Sequence, residues 1–226
     1  MTLEETIRVQ IPDYAVKSVI DFDKVIDMWE SRKYQSNVSF LRAKERLSNI
    51  KTRAQIIQVF ADNQLYDGYV STIVWGNIGL YQNGARVICN AFGNSENEVF
   101  EKLDRVREKI IAGRISEAFS SMCRGNENRL NGLGVSFFTK LMYFIGAAYE
   151  CPVEPLIFDS HSLAMLKALY KDAGMQRMAR QSVSCYMDYV DLMKILSEKL
   201  ELTDAGHLEA LLFNSGKSLI KEYAHE

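Results

Sequence analysis

Residues 129–166 read RLNGLGVSFFTKLMYFIGAAYECPVEPLIFDSHSLAML. The stretch changes character three times. Asn131-Gly132-Leu133-Gly134 sets two glycines around one apolar residue. Glycine reaches positive φ and carries no Cβ, so the pair suits a tight turn between helices and lets backbone N–H groups come close to an anion. From Ser136 the spacing turns helical, and Phe137, Phe138, Leu141, Met142, Phe144, Ile145 and Ala148 cover most of the circumference. That pattern predicts a buried helix over 136–149. The apolar run PLIF (155–158) then ends in Asp159, a preferred N-cap residue, and SHSLAML restores helical spacing, which predicts a helix over 160–172.

Outward from this stretch the same periodicity recurs from residue 15 onward. It predicts further helices over 22–32, 36–48, 52–61, 67–79, 95–112, 115–123, 184–199 and 204–223. Ser95, ahead of ENEVFEKLDRV, and Ser116, beside Glu117, stand where a side chain can cap a helix start. Extended structure is expected only at 7–11 and 155–158, too short for a real sheet, and there is no internal repeat. The expectation is a mainly α chain forming one helical domain over 1–226, with its functional segment at about 115–172.

The chain has 226 residues, 47% of them hydrophobic, 25% charged and only three proline, which suits a packed core and argues against disorder. Cys89, Cys123, Cys151 and Cys185 are widely spaced and lack a zinc-ligand pattern, so they read as reduced, mostly buried thiols and no metal is expected. The first residues lack a basic region followed by an apolar core, and no apolar run is long enough for a bilayer, so a cytoplasmic protein without membrane contact is expected. The net charge of −2 supplies no overall basic character for nucleic acid, so any positive face has to be local. Arg124, Arg129, Lys167, Lys171, Arg177 and Arg180 are the candidates, with a solvated helix face as the alternative.

Two residues carry the chemistry. Lys140 shares a helical face with Phe137, Leu141 and Phe144, so its amine stands beside the apolar stripe. Partial desolvation there would favour the neutral amine that nucleophilic attack needs; the alternative is a lysine whose stem covers apolar surface while its head reaches water. Asp159 can cap its helix through the N–H of His161 or Ser162, and the same bonds would keep a functional carboxylate ionised and oriented.

Gly132-Leu133-Gly134, then Phe138-Thr139-Lys140, then Phe158-Asp159-Ser160-His161 resemble the 8-oxoguanine DNA glycosylases, in their compact archaeal and bacterial branch. In that family a glycine hairpin leads into the helix that bears a catalytic lysine, and a loop then delivers a catalytic aspartate at a helix head. YVSTIVWG (69–76), CYMDYVDLMKILSEKL (185–200) and HLEALLFNSGK (207–217) are similar to other family helices, so the likeness spans 60–218. Lys140 stands further from Gly134 than in the eukaryotic-type enzymes, and Ser136 occupies that nearer place.

The resemblance implies a helix-hairpin-helix glycosylase-like fold and a DNA glycosylase/AP lyase. It would remove a damaged purine such as 8-oxoguanine through a Lys140 Schiff base, assisted by Asp159. It implies DNA contacts at Gly132, Gly134, Ser136 and Arg129, base-pocket positions at Trp75 and His161, and no cofactor, apart from a monovalent cation on carbonyls near the hairpin glycines. Other aromatic candidates for stacking are Trp29, Tyr143, Phe158, Tyr186 and Tyr189. Two other readings stand beside this one. In the first, the fold serves an anti-phage defence system, acting on phage DNA, a nucleotide or a protein partner from the same operon. In the second, the chain is a noncatalytic helical interaction module.

Overall fold

The structure is a computed structural model that describes residues 52–76, 90–169, 182–202 and 205–213, together with Glu5, Leu47 and Ile50. The expectations for 7–11, 22–32 and most of 36–48, and for Trp29, Cys89, Lys171, Arg177 and Arg180, fall outside these residues. The described helices are α1 (Arg53–Ala61), α2 (Leu65–Trp75), α3 (Glu96–Ile111), α4 (Ile115–Met122), α5 (Val135–Ala148), α6 (Ser160–Leu169) and α7 (Val183–Lys199), and 205–213 is also helical. Among the described residues there is no strand, and 155–158 is irregular rather than extended in a sheet. No described helix is long and apolar enough to cross a membrane.

By their internal contacts the residues divide into two compact units, one within Val19–Pro155 and one that includes Leu156 onward. In the first, α5 touches each of α1, α2, α3 and α4. A helix with neighbours on every side has no water-facing stripe to fill with polar residues, which accounts for its near-continuous apolar sequence. Leu141, Met142, Phe144 and Ile145 are fully buried; burying each such side chain contributes roughly 1.5–3 kcal/mol. Gly146 lets Pro155 close against α5, since a Cβ there would strike the proline ring.

α3 is the counterpart, an amphipathic surface helix. Val99, Leu103, Val106 and Ile110 face the core at helical spacing. Ser95 caps it by accepting the Glu98 N–H at 3.2 Å, and Glu96 and Glu98 stand at the positive end of its dipole. Thr52 forms a reciprocal capping box with Gln55 ahead of α1. Ser116, however, caps nothing: α4 begins one residue earlier, at Ile115 behind Arg114, without a side-chain cap. Burial of Ile115, at 1% exposure, anchors that start in place of a cap. α2 likewise begins earlier than its spacing predicts, because Leu65 and Tyr66 are both buried.

In the second unit the segment before Asp159 is held by α7. Tyr186 Oη accepts the Leu156 N–H and donates to the Leu156 carbonyl, both at 3.2 Å, while Tyr189 Oη donates to the Ile157 carbonyl at 3.1 Å. Phe158 packs between the two tyrosine rings, at 5.7 Å and 4.7 Å between centroids. Buried backbone groups without a sheet partner are thus satisfied by side chains.

Candidate functional site

The chain leaves α4 at Cys123 and turns twice before α5, through Gly125 at φ +92° and Gly132 at φ +79°. Both angles are ones that a residue with a Cβ rarely adopts. Gly134 takes the N-cap position of α5, is exposed, and has open space where a Cβ would stand. The first-turn N–H groups of α5 and the positive end of its dipole therefore lie behind a position with no side chain, an arrangement that can receive an anion.

The run-up to this turn is tied down from α3 and from the residue just before its cap. Arg105 Nε donates to Asn128 Oδ1 at 2.9 Å, Lys102 Nζ donates to the Arg129 carbonyl at 2.7 Å, and Asn94 pairs with the Asn131 backbone. Asn94 in turn donates to Tyr69 Oη, and Tyr69 donates to the Ala91 carbonyl. Burial pushes the Tyr69 phenol well above its ordinary value, so it stays protonated and able to donate. Nothing in the sequence pattern singled out Asn94, Lys102 or Arg105. The only local sign was a polar residue next to the Ser95 cap.

Lys140 stands on the second turn of α5 and is only 6% exposed. Its ammonium does not snorkel to water. Nζ donates to Ser136 Oγ at 2.9 Å and to the Ser136 carbonyl at 3.1 Å, and lies 5.3 Å from the Phe137 ring centre. Ser136 and Lys140, rival positions for the catalytic lysine in the sequence, are hydrogen-bonded neighbours one turn apart. Ser136 is half-buried, and its hydroxyl accepts from the lysine.

Trp75, at the end of α2, is half-buried and meets the edge of Phe144 at 5.3 Å, one turn beyond Lys140. The Arg53 guanidinium covers its ring at 4.9 Å, and its indole N–H is buried without a hydrogen-bond partner among the described residues. Tyr143, Phe158, Tyr186 and Tyr189 are buried in their own units and serve as core rather than as open stacking surfaces. Of the cationic candidates, Arg124 is exposed, whereas Arg129 and Lys167 are half-buried.

Asp159 belongs to the second unit, where it heads α6. Its Oδ1 accepts the His161 N–H at 2.7 Å and its carbonyl accepts the Leu163 N–H at 3.0 Å, so it caps the helix as its sequence position suggests. His161 lies edge-on to Phe213 at 5.5 Å, and Ser162 donates to the buried Glu209 at 3.1 Å. Cys123, Cys151 and Cys185 are free and half-buried. Among the described residues, no group of three or more His, Cys, Asp or Glu could hold a metal ion.

Residues 23–213 match the family model described as "Putative 8-oxoguanine DNA glycosylase OGG-like protein". No curated protein and no solved structure matches the chain.

Proposed function

We propose that this chain, which belongs to the 8-oxoguanine DNA glycosylase OGG-like family, is a DNA N-glycosylase with AP lyase activity that uses Lys140 as its nucleophile. The observation that carries this reading is the buried Lys140 amine on the helix that starts at the glycine hairpin, one turn from Ser136 Oγ. A lysine held at 6% exposure by bonds to Ser136 is set apart from the water-facing lysines of a surface helix, as a nucleophile at a defined position would be.

In the proposed reaction a purine is first turned out of the duplex, at a cost of a few kcal/mol that binding must offset. Duplex binding would be supported by the Gly132–Gly134 turn meeting a phosphate and by Arg129 beside it. Once the Lys140 ammonium has given a proton to water, the amine forms a bond to sugar C1′ as the C1′–N bond to the base breaks; the base leaves with that electron pair and takes up the proton shed by the newly bonded nitrogen. Loss of the sugar ring-oxygen link gives an imine between Lys140 and C1′. Removal of a C2′ proton then expels the 3′-phosphate by β-elimination, and water releases the amine. Asp159 is proposed as the carboxylate that stabilises positive charge on the sugar, a role supported by its fixed, N–H-bonded position at the head of α6. Trp75 and His161 are proposed to border the base.

The test is strand cleavage of a duplex carrying one 8-oxoguanine. Wild-type protein is expected to release the base and nick the strand, and the Lys140→Gln variant to do neither. Release of the base by Lys140→Gln at the wild-type rate overturns the assignment.

A further inference from the structure

We infer that Asn94 is a positioning residue for the hairpin: by pairing with both the N–H and the C=O of Asn131 it sets how Gly132–Gly134 meets a DNA phosphate. The inference rests on the DNA-binding part of the function proposed above.

The pairing is complete in both directions. Asn94 Oδ1 accepts the Asn131 N–H at 3.0 Å, and Asn94 Nδ2 donates to the Asn131 carbonyl at 3.0 Å. A carboxamide that reads both sides of one residue's backbone fixes its position and also its rotation, as a strand partner would. Asn94 is itself 2% exposed, and its Nδ2 also lies 2.8 Å from the Ala91 carbonyl and 3.1 Å from Tyr69 Oη. Asn131, by contrast, is exposed. The clamp thus runs from a fully buried tyrosine out to a surface turn.

Its place in the chain gives the clamp its purpose. Asn131 is followed at once by Gly132, whose φ of +79° belongs to the most permissive residue type. A turn that needs this freedom would sample many orientations unless its entry were held. Asn94 holds that entry, while Lys102 and Arg105 hold Arg129 and Asn128 just before it. An amide is required, since a carboxylate at this position has no N–H to offer and would set its charge against the carbonyl oxygens of Asn90, Ala91 and Asn131.

Equilibrium binding of an undamaged duplex of about 20 base pairs, followed by fluorescence anisotropy over a range of salt, tests this without any turnover. Asn94→Asp is expected to weaken binding tenfold or more across the salt range. Tyr69→Phe, which keeps both bonds to Asn131, is expected to lose less than threefold. Wild-type affinity in Asn94→Asp, or an equal loss in Tyr69→Phe, overturns the inference. Amide spectra of the wild-type chain give a reading independent of how the variants fold. Gly132 and Gly134 should shift on duplex addition and the exposed Asn131 amide should be protected from exchange. A failure of either result counts against Asn94. Intact binding with these signatures but no cleavage at either 8-oxoguanine or an abasic site sinks the lysine chemistry and leaves the role of Asn94 standing.

Discussion

Lys140 Nζ donates to Ser136 Oγ across 2.9 Å, so the buried amine of α5 is held one turn back toward the hairpin from which the helix starts. Ser136→Ala removes one acceptor from a buried charged donor, which costs about 1–3 kcal/mol. Thermal unfolding should show a midpoint lower by several degrees. Single-turnover base release should slow on the order of tenfold, because the amine loses its fixed direction. A wild-type rate in Ser136→Ala would leave the hydroxyl with a packing role only.

The two hairpin glycines should separate under substitution. Gly132→Ala forces a Cβ into a left-handed conformation and should cost about 1–2 kcal/mol in denaturant unfolding. Gly134 has φ −90° and open space around its Cβ position, so Gly134→Ala should change stability by no more than about 0.5 kcal/mol. It should nevertheless weaken duplex binding, because the new methyl group covers the approach to the first turn of α5. Normal affinity in Gly134→Ala would move the phosphate contact elsewhere.

Asp159 combines two roles that one substitution can part. Asn caps a helix about as well as Asp, so Asp159→Asn should keep the His161 N–H bonded and the melting temperature within about two degrees of wild type. Loss of the charge should slow base release by roughly 10²–10⁴-fold. A rate within twofold of wild type would reduce Asp159 to a helix cap.

What could be read in the sequence follows from which forces are local. The apolar circumference of α5 and the caps at Ser95 and Asp159 depend on residues within one or two turns, and all three are visible as pattern. Ser116 misled because a cap residue in the right place loses to the burial of Ile115, a tertiary effect. The spacing left Lys140 beside its stripe with either fate open, and contact with four other helices decides for burial. Asn94 stands far along the chain from Asn131, and Tyr186 and Tyr189 far from Leu156 and Ile157. Their hydrogen bonds depend on partners that no periodicity identifies. Tyr143, Phe158, Tyr186 and Tyr189, which looked suited to stacking on a base, were therefore indistinguishable from core until their burial was known.

The proposed reaction turns on attack of Lys140 itself on the sugar. Incubation with a duplex containing 8-oxoguanine, and in parallel with one containing an abasic site, in the presence of borohydride should reduce the imine to a stable protein–DNA adduct. Digestion followed by mass spectrometry then locates the attached sugar. An adduct on the peptide that contains Lys140, lost in Lys140→Gln, is the predicted result. No adduct with either duplex, or an adduct on another residue that persists in Lys140→Gln, would contradict it.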